Sequence, residues 1–278
     1  MDLVIGGFTT RVSVHGAAEL PLLVLLHDGA YGTDGPLCWG SVASALADEY
    51  RVIVPDLLGW GHSAKVVFFD RSPYDPRLEH IAEVCRALCP GSPVFLAGVS
   101  FGAELAVRAT IESRWQIPVR RAVAISGTGG RLFRNNEAMA ALTGYTPSLE
   151  AARDVTATLV GDLSGLDAHI RTRYENTLIP GHWEAMSSAR LHNPALSAPA
   201  PNDEWMSGLG GNQVPLCFVE GAADPLLESG WAAKMAAMTG RGSSITIDGG
   251  HEPNIDRPDA VASVLGEFFA QPDEAMPQ

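Results

Sequence analysis

The stretch that decides the fold reads Val94-Phe95-Leu96-Ala97-Gly98-Val99-Ser100-Phe101-Gly102. Its first four residues are apolar, as in a buried strand, and helix-forming residues continue from Gly102 to about Glu112. Gly98 and Gly102 each lie two positions from the serine, a spacing typical of a sharp strand-to-helix turn in which bulk would block the crossing backbone. Such a turn lifts the Ser100 hydroxyl above the edge of the sheet, so we predict that Ser100 is a nucleophile.

Short apolar runs alternate with helical patterns on both sides of this turn, which predicts an α/β fold with a mostly parallel sheet flanked by helices. We expect a sheet of the eight-stranded type. Further strands of the same buried kind are predicted at residues 22–26, 51–54, 122–125, 216–219 and 244–247. Residues 4–14 alternate weakly and are expected to form the antiparallel edge, and the last helix is predicted to start near Pro258.

The strand pattern stops after residue 128 and returns at residue 214. Between these points the sequence has three helical patches, at residues 148–160, 166–175 and 182–190. We therefore predict a core formed by residues 1–128 and 214–278, with residues 129–213 inserted as a helical cap. A cap in this position would cover the carboxyl ends of the parallel strands, where open α/β sheets bind their ligands.

A serine hydroxyl needs a base, and the base needs an acidic partner that fixes its tautomer. His251 is predicted as the base because it follows the last strand and precedes the last helix, which none of the seven other histidines does. Asp224 is predicted as its partner, since it lies just beyond the preceding strand. Asp248 is the alternative, but it is too close to His251 along the chain to approach the ring easily from the side.

Backbone N–H groups that could stabilise an oxyanion are predicted in two places. Phe101 places its N–H at the start of a helix, next to the nucleophile. The loop that follows the strand ending at His27 offers a second N–H group, from Gly29 or Ala30, of which we favour Gly29. His27 and Asp28 are interpreted as residues that shape this loop, with a metal pair as the less ordinary alternative.

Composition and charge limit the functions open to the chain. Its 278 residues are 46% hydrophobic and 18% charged, which indicates a globular protein. A formal net charge of −13 argues against nucleic-acid binding. Neither a signal peptide nor a membrane-spanning stretch is recognisable, so the expected location is the cytoplasm. Cys38, Cys85, Cys89 and Cys217 are then expected to be reduced and buried, without a metal.

With these residues placed, the chain resembles the α/β-hydrolase superfamily over nearly its whole length, including the chain order Ser, Asp, His. The matching segments are Leu26–Gly29, Pro55–Ser63, Gly98–Gly102, Gly221–Pro225 and Gly249–His251. Within the superfamily it most resembles the meta-cleavage product hydrolases, which cleave carbon–carbon bonds in vinylogous 1,5-diketones. That resemblance extends into the cap at Thr146–Ser148, Arg173–Glu175 and Glu184–Met186.

The resemblance also implies which residues contact the substrate. A cap arginine engages the substrate in that family, and Arg190 is the nearest match by order along the chain; a solvated arginine at a helix end is the alternative. Two positions that face the substrate depart from the family, because Val99 replaces Asn before the nucleophile and Glu252 replaces Trp after the histidine. Ala30 and Trp183 are further candidates for substrate contacts. An apolar pocket, or simple packing against the core, is indicated by the cap residues Phe133, Met139, Leu142, Trp183, Met186 and Leu191.

These predictions describe a serine hydrolase that acts on a small, largely apolar carbonyl substrate without a metal or an organic cofactor. Carbon–carbon bond hydrolysis is the reaction that the resemblance implies. An esterase, lactonase or cofactor-independent haloperoxidase of the same fold is the first alternative, and a slow-turnover sensor of a small ligand is the second. The expected partner is the small-molecule substrate, and a homodimer stays open because the sequence does not decide the oligomeric state.

Overall fold

The computed structural model describes residues 1–127, 132–140, 142–188 and 204–272. Its centre is an eight-stranded sheet with the strand order β1-β2-β4-β3-β5-β6-β7-β8. The strands are β1 Asp2–Ile5, β2 Phe8–His15, β3 Leu22–Leu26, β4 Arg51–Pro55, β5 Val94–Val99, β6 Val119–Ile125, β7 Leu216–Gly221 and β8 Gly242–Ile247. The predicted α/β class and the eight-stranded sheet are therefore confirmed.

The sheet is parallel from β4 through β3, β5, β6 and β7 to β8. Strands β1 and β2 are antiparallel, as expected for the N-terminal edge, although the segment forms a hairpin and not a single strand. Gly6 and Gly7 form its turn with φ values of 57° and 84°, the left-handed conformation that tight two-residue hairpin turns require. The Gly-Gly pair is the signal in the sequence that a second strand is present.

Helices cover both faces of the sheet. The helices are α1 Gly35–Ala45, α2 Asp75–Leu88, α3 Phe101–Ile111, α4 Asn136–Ala140, α5 Leu149–Leu159, α6 Asp167–Thr177, α7 His182–Ser187, α8 Trp231–Met238, α9 Pro253–Asp256 and α10 Pro258–Phe269. Residues of α2, α3 and α8 pack on one face of the sheet, and residues of α1 and α10 pack on the other. None of the helices in the described ranges combines the length and the apolar character needed to cross a bilayer.

Strand β8 is less buried than the sequence pattern predicted. Its residues were expected to resemble the buried inner strands, but Ile245 is 37% exposed. The reason is topological, because β8 is the last strand in the sheet and pairs only with β7. An apolar run alone does not distinguish an inner strand from an edge strand, so this part of the prediction was wrong.

The regular secondary structure described between β6 and β7 consists of helices and one isolated β-bridge. Helices α5, α6 and α7 lie within or close to the three predicted patches, and Ser148 begins α5 by accepting a hydrogen bond from the Ala151 N–H. In residues 132–140 and 142–188, the β-structure is limited to one bridge between Arg134 and Leu227. The division into core and cap stays a prediction, and the term cap region is used below only for the described residues 132–140 and 142–188. The end of the third patch lies outside the described residues.

Helices α6 and α7 contact the loop that follows β3 (residues 27–34), which we call the oxyanion loop after the donors predicted in it. The Asn176 side chain donates to the Gly32 carbonyl at 3.0 Å, and the Gly32 N–H donates to His182 Nε2 at 3.1 Å. Gly32 has a φ of 73°, and a Cβ there would overlap the carbonyl group of Arg173. The cap region therefore contacts the backbone of this loop directly, and only glycine fits at the closest point.

The four cysteines are free and buried, as expected. Burial raises the pKa of Cys85 to about 12 and the pKa of Cys89 to about 11, so both thiols stay protonated at neutral pH. Among the described residues, no three His, Cys, Asp or Glu side chains are grouped in a way that could hold a metal ion. Thiolates are the form of cysteine that binds metals, so the protonated thiols of Cys85 and Cys89 are better described as packed side chains of the core.

We predict that Gly98→Ala destabilises the fold by roughly 3 kcal/mol, because its Cβ would overlap the Gly102 carbonyl group. Gly40→Ala is the matched control. Gly40 lies inside α1 with open space where a Cβ would be, so alanine should stabilise the protein there by about 0.5–1 kcal/mol. Urea unfolding measures both variants, and equal stability of the two would contradict the prediction.

A second prediction concerns His182, whose buried ring accepts the Gly32 N–H. Burial lowers the pKa of His182 to about 3, and the neighbouring cations contribute to this shift. Between pH 6.5 and about pH 3, the unfolded chain binds a proton at His182 that the folded chain does not. The free energy of unfolding therefore falls as the pH decreases through this range. His182→Gln keeps an acceptor for Gly32 but does not titrate. Its unfolding free energy should therefore depend less on pH, by up to about 1.4 kcal/mol per pH unit.

The matched variant for this experiment is His182→Ala, which leaves the Gly32 N–H without its acceptor. It should be less stable than the Gln variant at every pH, by about 1–3 kcal/mol. Urea unfolding between pH 4 and pH 7 measures both variants. A Gln variant with the same pH dependence as the unmodified chain would show that His182 is not the group responsible.

Candidate active site

Ser100 occupies a strained turn between β5 and α3. Its backbone has φ 53° and ψ −113°, and its N–H donates to the Ile125 carbonyl at 2.8 Å. A non-glycine residue in this region of φ and ψ is uncommon and persists only when the surrounding structure enforces it. The enforcing contacts are those of Gly98 and Gly102, where a Cβ would overlap the Gly102 carbonyl and the Leu26 carbonyl, respectively. Both glycines therefore have the predicted steric role, because neither position has room for a side chain.

His251 and Asp224 are brought together from loops that follow β8 and β7. His251 Nδ1–H donates to Asp224 Oδ2 at 2.8 Å, and both side chains are almost completely buried. The second carboxylate oxygen of Asp224 accepts the Leu226 N–H at 2.8 Å, which fixes its orientation. With the proton on Nδ1, the Nε2 lone pair is left unprotonated. Such an imidazole can take a proton from a neighbouring hydroxyl.

Asp248, the alternative acid, lies on the surface. Its side chain is 87% exposed and pairs with Arg257 at 3.4 Å. The structure therefore brings Asp224, and not Asp248, to the histidine.

A cavity of about 300 Å³ lies at the predicted nucleophile and base. Ser100 and His251 both line it, together with the predicted oxyanion residues Gly29 and Phe101. The remaining lining residues are Asp28, Ala30, Tyr31, Tyr74, Glu104, Ser126, Gly127, Arg134, Met139, Leu142, Thr143, Val155, Leu159, Leu227 and Glu252. Side chains from the core and from the cap region thus enclose one space.

The oxyanion loop is held by hydrogen bonds that distinguish its two candidate donors. The Ala30 N–H donates to Asp28 Oδ1 at 2.6 Å, so it already has an acceptor. This bond occupies the Ala30 N–H, and Gly29 stays the predicted donor of this loop. His27 accepts the Leu57 N–H at Nε2 and contacts the Asp28 carbonyl through Nδ1, at 2.8 and 2.7 Å. Both nitrogens of His27 are engaged in shaping the loop, which agrees with the interpretation of this residue as structural.

The predicted substrate-contact residues separate into three groups. Ala30 and Glu252 line the cavity. Val99 does not, because strand alternation turns its fully buried side chain to the face of the sheet covered by α1 and α10. Trp183 packs beside the cavity and donates through Nε1 to the Tyr145 carbonyl at 3.3 Å. Arg190 lies outside the described residues.

Of the cap residues predicted to form an apolar pocket, some line the cavity and others do not. Met139 and Leu142 line the cavity, whereas Phe133 and Met186 pack against core residues instead. Leu191 lies outside the described residues. Val155 and Leu159, from the apolar face of α5, supply further apolar surface that the sequence analysis did not single out.

The cavity also has a polar part whose residues were not predicted from the sequence. Arg134 pairs weakly with Glu104, with Nη2 and Oε2 separated by 3.8 Å. Tyr74 lies beside both, and burial together with the negative charge of Glu104 raises the pKa of its hydroxyl above the usual value. The Ser126 hydroxyl is buried without a hydrogen-bond partner among the described residues, at a φ of 49°. No motif marks these residues, which come from α3, from the end of β6 and from the segments that precede α2 and α4.

Comparison with known proteins places these observations in a family. The profile of the alpha/beta hydrolase family matches residues 23–264. A 2-hydroxymuconate semialdehyde hydrolase from a Pseudomonas species is 27% identical over 284 residues, covering 99% of this chain and 95% of that protein. A 2-hydroxy-6-oxo-2,4-heptadienoate hydrolase from Pseudomonas putida is 30% identical over 211 residues, covering 73% of this chain and 69% of that protein.

Solved structures agree with this result at the level of the fold. The meta-cleavage product hydrolase from Pseudomonas fluorescens superimposes with a TM-score of 0.82 at 24% identity, covering 97% of each chain. The resemblance inferred from the sequence, including the similarity to meta-cleavage product hydrolases, is confirmed. The chain belongs to the alpha/beta hydrolase family.

Proposed function

We propose that the chain is a serine hydrolase in which Ser100 attacks a substrate carbonyl, His251 accepts its proton and Asp224 orients the imidazole. The observation that carries the proposal is the 2.8 Å hydrogen bond from His251 to Asp224, at a cavity that Ser100 also lines. A buried acid on Nδ1 makes Nε2 the basic atom of the ring and stabilises the imidazolium that forms. Belonging to the alpha/beta hydrolase family supports the same assignment.

The two N–H groups of Gly29 and Phe101 are proposed to bind the oxyanion. Phe101 is the first residue of α3, where N–H groups point away from the helix and the helix dipole favours negative charge. An oxyanion donor of this kind contributes about 3–4 kcal/mol to transition-state stabilisation. His251 would then return its proton to the leaving group, and water would release the acyl group from Ser100 by the reverse sequence.

For the substrate we propose a small acid that carries a ketone, cleaved at a carbon–carbon bond. The names of the relatives describe such compounds, since a 6-oxo-dienoate has a carboxylate at one end and a ketone at the other. The apolar side chains of Met139, Leu142 and Val155 suit the carbon chain, and the proposed partner of the carboxylate is Arg134, which lines the cavity and is only weakly paired with Glu104. The leaving group in this reaction is a carbanion, so ketonisation of the dienol must precede attack by Ser100.

Ester or lactone hydrolysis is the second candidate, and Glu252 favours it. The meta-cleavage product hydrolases have Trp at this position, facing the substrate, whereas here a carboxyl group is buried next to the histidine. Its Oε2 lies 3.4 Å from Arg173 of α6. An ester or lactone releases an alkoxide and needs no ketonisation. Replacement of the family's Trp by Glu252 would therefore matter less for such a substrate than for a dienol.

We predict that Ser100→Ala lowers kcat for p-nitrophenyl acetate by at least about 10³-fold, because the nucleophile is removed. Ser44→Ala is the control, since the Ser44 hydroxyl is exposed and, among the described residues, donates only to the Gly40 carbonyl. A fluorophosphonate probe, followed by peptide mapping, should label position 100 of the unmodified chain.

A panel of acyl esters, lactones and dienoate diketones then separates the two substrate classes by kcat/KM. Tight binding of one compound without turnover would instead favour the alternative that the protein is a slow-turnover sensor of a small ligand. Unchanged esterase activity in Ser100→Ala would refute the serine mechanism.

A further prediction tests the cavity arginine. Arg134→Met should raise KM for dienoate substrates by roughly 10- to 100-fold, because a charge-assisted hydrogen bond to the carboxylate is lost. KM for neutral p-nitrophenyl esters should change by less than about 3-fold. Arg153→Met removes an exposed cap-region arginine that pairs with Asp167 and serves as the control. Equal effects of Arg134→Met on both substrate types would rule out carboxylate recognition.

A further inference from the structure

Two carboxyl groups and one guanidinium are buried together between the cap region and the core. Arg173 comes from α6, Asp28 from the oxyanion loop, and Glu252 from the segment after β8, which we call the base loop (residues 248–252). The side chains of Arg173 and Glu252 are inaccessible to solvent, and Asp28 is 1% exposed. Buried charges are unusual unless they are paired, so the pairing within this group determines what it can do.

Arg173 connects the two loops that carry the proposed oxyanion donor and base. Its Nη1 donates to the Tyr31 carbonyl of the oxyanion loop at 3.1 Å. Its Nη2 lies 3.4 Å from Glu252 Oε2, and Glu252 directly follows His251. Arg173 itself does not line the cavity, although Glu252 does, so we consider the contacts of Arg173 for their effect on the two loops.

The backbone at the end of α5 supports the base loop at the same place. The Glu252 N–H donates to the Leu159 carbonyl at 2.7 Å. A Cβ on Gly250 would overlap backbone atoms around Val160 and Gly161. Two helices of the cap region therefore fix the residues on both sides of His251.

The distribution of hydrogen-bond donors distinguishes the two carboxyl groups. Asp28 accepts the Ala30 N–H and the Thr33 hydroxyl, both at 2.6 Å. Glu252 Oε1 has no hydrogen-bond partner among the described residues. One guanidinium can balance only one buried carboxylate, and the two donors to Asp28 make it the one that stays ionised.

The pKa directions agree with this distribution. Burial raises the pKa of Glu252 well above its usual value, and the negative charge of Asp28 raises it further against the influence of Arg173. For Asp28, burial is outweighed by Arg173 and by its hydrogen bonds, so its pKa is lowered. The other titratable groups that face the cluster are His27, Cys38, His169, His182, Asp224 and His251.

We propose that Arg173, ionised Asp28 and protonated Glu252 form a positioning cluster that holds the oxyanion loop and the base loop in their working arrangement. The proposal rests on the serine hydrolase function, since it assigns a role relative to Ser100 and His251. Arg173 and Glu252 are positioning residues, and their effect on the reaction passes through the placement of Gly29 and His251. Displacement of an aligned catalytic group by about 1 Å lowers rates about 100-fold, so the positioning effect should be measurable.

The first experiment compares Glu252→Gln with Glu252→Met. Gln has the shape of the protonated carboxyl group and keeps a polar contact with Arg173, so Glu252→Gln should retain a kcat for p-nitrophenyl acetate at least about 3-fold above that of Glu252→Met. Met leaves the guanidinium without its partner, so kcat should fall by at least about 10-fold while KM changes by less than 3-fold. The rate of fluorophosphonate labelling of Ser100 should follow kcat in both variants.

The second readout is stability against pH and does not require turnover. Because the pKa of Glu252 is raised in the folded chain, the unfolded chain loses its proton first as the pH rises above the ordinary value of 4.5. Stability from this group is therefore present below pH 4.5 and is lost progressively up to the raised pKa. Glu252→Gln lacks this loss, so its Tm relative to the unmodified chain should increase steadily with pH.

Arg173→Met tests the other member of the cluster, with Arg153→Met as the matched control that should keep the unmodified kcat. If Arg173→Met does not fold, the double variant Asp28→Asn/Arg173→Met removes one charge of each sign and should fold with kcat reduced at least 10-fold.

Two results would overturn the proposal: an equal loss of kcat in Glu252→Gln and Glu252→Met, or a Tm difference between Glu252→Gln and the unmodified chain that does not vary with pH. If Ser100→Ala stays active, the hydrolase assignment fails by itself, and the pH dependence of Tm still tests the cluster.

Discussion

The candidate site depends on one steric constraint, the close approach of the first turn of α3 to the end of β3. A side chain on Gly102 would overlap the carbonyl groups of Leu26 and His27, so only glycine allows the helix to begin there. The contact places the N–H of Phe101 next to the oxyanion loop and forces Ser100 into a backbone conformation that few residues adopt. The serine, the helix dipole and the loop are thus positioned by packing of backbone against backbone, which is among the least deformable contacts in a protein.

The acid and the base reach the same site through the order of the strands. Strands β6, β7 and β8 lie side by side and parallel, so the loops that follow β7 and β8 emerge at the same edge of the sheet as the turn after β5. The Ala223 N–H donates to the Gly249 carbonyl at 2.9 Å, which ties these two loops together. The hydrogen bond between Asp224 and His251 is therefore an extension of the sheet's own connectivity.

The sequence predicted the parts of the molecule that depend on local pattern. Apolar runs located the strands, and the two glycines around Ser100 located the turn, because each has a steric reason that a short segment contains. The exposure of β8, the orientation of Val99 and the contacts of Arg134 were not predictable in this way. Each depends on which strand or helix lies opposite, and that information is distributed over distant parts of the chain. Cap helices could be located from periodicity, but their contacts with the loops could not.

The contacts between α6, α7 and the oxyanion loop have a consequence for how the specificity of this chain could change. Asn176 and His182 bind the backbone of Gly32, so residues of α6 and α7 also determine the geometry of this loop. Exchanging the whole segment between β6 and β7 with that of a relative would remove these supports along with the cavity walls. New substrates are more readily reached by replacing single wall residues, such as Met139 or Leu142, which leave the scaffold of the loop intact.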